Sequence, residues 1–222
     1  MISSVLSYLC LAALGAVAGS LSDHAVSYWA AGRGRCTGEG ASFRRLWAEL
    51  AGAIAFICVG LAFGPVAELG QWLMFTVLLL ALSLADCTAQ TIPDPLVLAL
   101  AVGRAVWALV LRQPLKEAVL AALAACAVPT ALLGAVLLAE RLMDREVMGS
   151  GDMKLLFAVA LYLTWPQMLL GLLAMSLLGL SFALLTGRVW GPKLPLSPFF
   201  AAGMVVSLCF GGPPIQWYLS LF

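Results

Sequence analysis

Along the chain, apolar residues fall in long unbroken runs bounded by charge, glycine or proline, not in short alternating patches. Crossing about 30 Å of hydrocarbon takes about 20 mostly apolar residues in a helix. Eight stretches approach that length: 2–20, 46–63, 71–85, 95–111, 118–139, 153–165, 167–185 and 196–210, with Pro166 splitting the sixth from the seventh. The pattern predicts an all-α integral membrane protein, a polytopic bundle of about eight transmembrane helices. The first run lacks a basic leading segment and reads as a retained span, not a signal peptide.

Composition closes off the alternatives. Of 222 residues, 63% are hydrophobic and 10% charged, against about 45–50% and about 25% in soluble domains. Too few polar side chains exist to cover a globule in water, so the lipid bilayer is the expected environment. Twelve basic and 11 acidic residues leave a net charge of +1, which offers no field for nucleic acid. None of the six cysteines stands in a CxxC pair that could seed a metal site. Cys10, Cys58, Cys126 and Cys209 lie in apolar runs and read as small hydrophobes, which leaves Cys36 and Cys87.

Basic residues in short loops favour the cytoplasmic side. With eight spans, Arg33, Arg35, Arg44, Arg45, Arg141, Arg145, Arg188 and Lys193 share one side, against Arg112 and Lys116 on the other. The loops 86–94 and 140–152 then also face the cytoplasm, and both termini lie outside it. No loop is long enough to be a soluble domain, so the chemistry is expected in the membrane-embedded part. The seven tryptophans fall near span ends as interfacial belts, and Arg104, inside the fourth span, needs an acidic or carbonyl partner.

An acid near a span needs a reason, because an Asp at a helix centre costs about 2.5–3.5 kcal/mol on insertion. Glu39, Glu117, Glu140, Asp144 and Glu146 sit in loops beside basic residues and read as solvated surface. Asp86 and Asp152 differ, since each ends an unusually short apolar run of 15 or 13 residues, roughly 22 and 20 Å as helix. Both are expected to be recessed and to face protein or a water-filled cavity. Two close carboxylates share a proton, so one can activate a water while its protonated partner polarises a peptide carbonyl. Helix-end capping is the competing account of each Asp. Gly149 and Gly151 stand before Asp152 in Gly149-Ser150-Gly151-Asp152-Met153-Lys154; glycines there permit conformations closed to other residues and close approach of another chain. Lys154 is read either as snorkelling to headgroups or as tuning the acids.

Three separated blocks resemble the GxGD aspartyl proteases, specifically the prepilin peptidases of type IV pili and type II secretion. Asp86 followed by Ile92-Pro93-Asp94 resembles the first catalytic Asp with its apolar-Pro-Asp trailer. Val147 to Leu156 resembles the second motif, G-x-G-D-x-K-L, and Pro195-Leu196-Ser197-Pro198-Phe199 resembles P-F-G-P-F. The resemblance implies Asp86 and Asp152 as catalytic residues, 66 positions apart, with Pro93, Asp94, Gly149, Gly151 and Lys154 as substrate-binding residues. It divides the chain into a two-span region, 1–70, and a six-span peptidase core, 71–222.

A weaker match lies at Gly19-Ser20-Leu21, where bifunctional members carry a zinc-binding loop with two C-x-x-C pairs and a methyltransferase region. Here that loop holds one cysteine, Cys36, too few for a structural zinc, followed by Phe43-Arg44-Arg45 and Glu49. His24 and Glu49 read either as remnants of that region or as a capped helix end and a buried, hydrogen-bonded acid. The implied substrate is a prepilin or pseudopilin with a short basic leader, a Gly before the cut and an apolar helix in the membrane. The implied place is the bacterial cytoplasmic (inner) membrane with the active site towards the cytoplasm. The peptidase needs no cofactor; S-adenosylmethionine is implied only if N-methylation is retained. Two other readings are an intramembrane-cleaving protease of presenilin type, which the Ile92-Pro93-Asp94 trailer disfavours, and a proton-relaying transporter or assembly scaffold.

Overall fold

The computed structural model describes residues 2–32, 41–144, 148–187 and 195–220. Arg33, Arg35, Cys36, Glu39, Arg145, Glu146, Val147, Arg188 and Lys193, named above, and Trp190, one of the seven tryptophans, lie outside those residues. Among the described residues every regular element is a helix, as the apolar runs require: a span in lipid must satisfy its own backbone hydrogen bonds. In chain order they are α1 (Ile2–Ala31), α2 (Ala41–Phe63), α3 (Leu69–Ala89), α4 (Asp94–Val110), α5 (Leu115–Ala125), α6 (Ala127–Met143), α7 (Ser150–Ala160), α8 (Trp165–Thr186), α9 (Ser197–Phe210) and α10 (Gly212–Leu219).

Five segments have the length and composition to cross a bilayer: Val5–Ala31, Ser42–Phe63, Leu69–Ala89, Lys116–Met143 and Trp165–Thr186. A sixth is counted if α9 and α10, bent by 73° at Gly211, act as one span. The polytopic all-α architecture is as expected, while only five or six of the eight runs reach crossing length. α4, at 17 residues, is about 26 Å long, and α7, at 11, about 16 Å. The break expected at Pro166 falls just before it. Thr164 precedes α8, its backbone N–H and its hydroxyl both donating to Gln167 Oε1 at 2.9 Å, and Pro166 sits in the first turn, where it forgoes no helical bond.

α1 and α2 pack backbone to backbone. A Cβ on Gly19 would stand 2.1 Å from the Ala48 carbonyl oxygen, and one on Gly15 would stand 2.3 Å from that of Gly52. Small residues at these positions let two spans touch without a hydrophobic driving force between them. Arg44 on α2 then reaches Asp23 on α1 at 2.5 Å and Ser27 Oγ at 2.6 Å, so a mostly buried ion pair ties the helices near one end.

The main core lies elsewhere. Phe75, Leu79 and Leu82 of α3, Leu100 of α4, Leu155, Leu156 and Val159 of α7, Met168 of α8, and Phe200 and Met204 of α9 form one buried cluster. Half of α3's most apolar window is buried, against 11–28% for the other crossing segments, which makes α3 the central helix. Arg104 finds the carbonyl partner its position demands, donating to Leu161 O at 3.0 Å, and also binds Gln113 Oε1 at 3.0 Å. The C-terminal end of α3 meets the N-terminus of α9, and the N-termini of α4 and α7 meet each other, so these four ends gather on one side of the bundle.

Candidate active site

Asp86 occupies the last full turn of α3. That helix runs three residues past it to Ala89 and ends at Gln90, whose φ of 47° is left-handed and whose N–H returns to Asp86 O at 2.8 Å. The expectation of a short third span is therefore corrected: Asp86 lies within a 21-residue helix, because Cys87-Thr88-Ala89 extend it beyond the apolar run. A negative side chain near a helix C-terminus is poorly placed, since the backbone there already presents unpaired carbonyls. Its compensation comes from the start of α9, where the Ser197 N–H donates to Asp86 Oδ2 at 3.0 Å. The residue before α9, Leu196, supplies no side-chain cap, so Asp86 does that work from another helix. One turn earlier on α3, Ser83 Oγ donates to Leu79 O at 2.8 Å and reaches Ser197 O at 3.3 Å, clipping the same residue from its other side.

Asp152 is the third residue of α7, where an acid is favourably placed against the helix dipole. Its backbone N–H binds Gly149 O at 3.1 Å. Neither glycine of the motif uses a conformation closed to other residues. Gly149 is extended at φ −68° and ψ 142°, Gly151 lies within the helix, and the positive-φ glycines among the described residues are Gly64 and Gly187. That expectation is corrected for both. Close approach is what Gly151 serves: a Cβ there would stand 3.3 Å from the Ile92 Cβ, so its bareness lets the turn after Asp86 rest on the start of α7.

This packing brings the two acids, 66 positions apart, onto one polar cavity of about 370 Å³. It is also lined by Gln90, Thr91, Ile92, Asp94, Gly149, Ser150, Gly151 and Lys154. Burial pushes the Asp152 carboxyl above its ordinary value, and the charge of Asp86 pushes it further the same way. Asp152 also lines a second cavity, about 350 Å³ and walled chiefly by Leu132, Val136, Leu155, Leu172, Met175 and Phe200. It thus stands where a polar recess meets an apolar one. A larger recess of about 780 Å³ between α4 and α7 touches neither Asp86 nor Asp152.

Of the residues expected to bind substrate, Gly149, Gly151, Asp94 and Lys154 line the polar cavity, while Pro93 is buried at the turn into α4. Lys154 Nζ pairs with Asp94 Oδ1 at 2.8 Å. The sequence offered no sign of the backbone clip at Ser197 or of the Arg44–Asp23 pair, both of which depend on how separate helices pack. Glu49 pairs with Arg45 on its own helix at 2.9 Å with 31% of its side chain exposed, and His24 is exposed. Glu49 is therefore not a buried acid bridging two helices. Among the described residues no group of three or more His, Cys, Asp or Glu is placed to hold a metal.

The family model described as "Type IV leader peptidase family" matches residues 73–184, a stretch that includes both acids and stops short of α9. The chain is 33% identical over 195 residues to the "Prepilin leader peptidase/N-methyltransferase" of Aeromonas salmonicida, covering 85% of this chain and 66% of that protein. Proteins of the same description from Dickeya chrysanthemi and Aeromonas hydrophila are 33% and 32% identical, over 82% and 86% of this chain and 67% of each relative. The chain therefore spans about two thirds of the length of the curated relatives it matches. No solved structure matches it. A family match over half the chain, and relatives at this identity over most of it, place this protein in the type IV leader peptidase family.

Proposed function

We propose that the protein is a membrane-embedded aspartyl endopeptidase that removes the leader peptide from type IV prepilins or pseudopilins, cutting after Gly on the cytoplasmic face of the bacterial inner membrane. The observation that carries this is the arrival of Asp86 and Asp152 on one polar cavity from helices whose sequences lie 66 positions apart. The relatives' names supply the substrate class. Arg44, Arg45 and Arg141 on the side of the acids, against Arg112 and Lys116 on the other, support the cytoplasmic orientation.

In the mechanism, Asp86, oriented by the Ser197 N–H, takes a proton from a water that attacks the scissile carbonyl. Asp152, whose pKa is raised, holds the proton that polarises the carbonyl oxygen and receives the developing charge. As the tetrahedral intermediate collapses, the C–N bond breaks, the proton taken by Asp86 passes to the leaving amine, and Asp152 recovers its own. The apolar cavity beside Asp152 accommodates an apolar side chain on one side of the cut, and the polar cavity holds the backbone on the other.

Peptide hydrolysis by this route draws on no cofactor. The region that the resemblance would assign to S-adenosylmethionine carries the Arg44–Asp23 and Arg45–Glu49 ion pairs, and no step of the proposed reaction draws on it. Cleavage of a prepilin with a Gly-Phe junction in reconstituted membranes tests the reading, with product mass as readout. Wild type should cleave, and Asp86→Asn and Asp152→Asn should each lose activity while remaining folded. Cleavage that persists in either variant removes that acid from the mechanism.

A further inference from the structure

Both partners of the Lys154–Asp94 ion pair lie largely in the open, with 55% and 72% of their side chains exposed, so the pair contributes little to stability. Its placement gives it another use. Asp94 begins α4, eight residues after Asp86 along the turn that leaves α3, and Lys154 lies two residues after Asp152 on α7. The pair therefore closes a ring: Asp86, the turn through Ile92, Asp94, Lys154, α7 and Asp152. Inside this ring the one close packing contact noted above is Gly151 against Ile92. The ammonium is spent on Asp94, and the neighbouring charge that acts on Asp152 is that of Asp86.

We propose that Asp94 and Lys154 are positioning residues that set the separation of the two catalytic carboxyls by tying the α3–α4 turn to the first turn of α7. This deepens the peptidase reading above and rests on it for its kinetic arm. Reacting groups displaced by about 1 Å can lose about 10²-fold in rate, so a tie too weak to matter for folding is still felt in turnover.

The test is a double-mutant cycle. Asp94→Asn and Lys154→Met should each lower kcat about fivefold, the most an exposed pair can bias a conformational equilibrium, with KM within about twofold of wild type. The double variant should fall no further than the worse single, because both remove the same tie. Lys154→Arg should stay within about threefold of wild type. Separating the acids weakens their mutual repulsion, so the two limbs of the pH–rate bell should draw together in the broken-pair variants, a change that general destabilisation does not produce.

An arm without substrate keeps the outcome separate from the peptidase reading. In a full-length, cysteine-free background carrying Asp86→Cys and Asp152→Cys, disulfide formation between the two should slow at least threefold on adding Lys154→Met and not on adding Lys154→Arg. Three results overturn the proposal: an unchanged cross-linking rate, multiplicative losses in the double variant, or a raised KM at unchanged kcat in Asp94→Asn, which makes Asp94 a direct substrate contact. A wild type that cleaves nothing while cross-linking still responds overturns the peptidase reading and upholds the tie.

Discussion

Replacing Gly151 by alanine separates activity from stability. The added Cβ would lie 3.3 Å from the Ile92 Cβ, 3.6 Å from its Cδ1 and 3.7 Å from its Cγ1. Carbon atoms prefer about 3.5–4.0 Å, so the start of α7 and the turn after α3 must part by about half an ångström. Rotamer change cannot relieve the nearest contact, because a Cβ is fixed to its backbone. If a 1 Å error costs about 10²-fold in rate, half of it costs about tenfold, or about 1.4 kcal/mol of transition-state stabilisation. In the opposite direction, alanine inside a helix is favoured over glycine by about 0.8–1 kcal/mol, so α7 itself is not weakened. The assay is prepilin cleavage kinetics alongside thermal unfolding of the same preparation. Gly151→Ala should lose about tenfold in kcat with a Tm at or above wild type, and Ile92→Gly in that background should return part of the rate by removing the Cβ that makes the nearest contact. A kcat within twofold of wild type, or a Tm that falls together with the rate, refutes the reasoning.

The neighbouring glycine should behave differently: Gly149→Ala has an ordinary backbone conformation and a nearest contact of 3.4 Å, to Asp152 Oδ2, so its kcat should stay within about threefold of wild type. Because the Asp152 pKa is raised in the fold, its native environment favours the protonated form, and stability from that preference is present below the unfolded pKa and lost as pH rises through the folded one. Asp152→Asn should therefore unfold at a higher temperature than wild type at pH 7 and lose that advantage at pH 3, as a pH series of melting curves would read; an Asn variant less stable at pH 7 contradicts the assignment. For the same reason wild-type kcat/KM should fall as pH rises through the Asp152 pKa. Asp23→Asn leaves Arg44 without its charge partner in a mostly buried site, which should cost about 3–5 kcal/mol, while the double variant Asp23→Asn/Arg44→Met should recover part of that in unfolding measurements.

The helical membrane architecture and the two acids were legible in the sequence because both rest on local signals: the length of apolar runs and short motifs around Asp86 and Asp152. What stayed hidden depends on how helices are turned against one another. Hydropathy stops at Ala85, but α3 continues to Ala89, since Cys87, Thr88 and Ala89 keep helical geometry without being strongly apolar; the stop comes at Gln90, just before the Ile92-Pro93 step. The motif spelled out Gly151 but not its reason, which is Ile92, 59 positions earlier. Asp23 and Arg44 sit 21 positions apart in stretches read for family likeness, and their pairing follows from the rotation imposed by Gly15, Gly19 and Gly52. Lys154 was legible as a cation beside the acids, whereas its choice of Asp94 over them is settled only by the crossing of α4 and α7.

The placement of Asp86 also explains why α9 belongs to the site although the family match ends before it. A carboxylate in the last turn of a helix faces that helix's own unpaired carbonyls, so α3 alone would hold Asp86 poorly. The first N–H groups of α9 are unpaired for the complementary reason, and Leu196 gives them no side-chain cap. Bringing the two ends together satisfies both, with Ser197 N–H on Asp86 Oδ2 and Ser83 Oγ on Ser197 O. The same residue lines the apolar cavity beside Asp152, so the start of α9 touches the surroundings of both acids. An acid oriented by a backbone donor from a third element cannot be moved without moving that element. The unit proposed to carry catalysis is therefore the ends of α3, α7 and α9 taken together, with the α4 turn as the proposed strut between the first two.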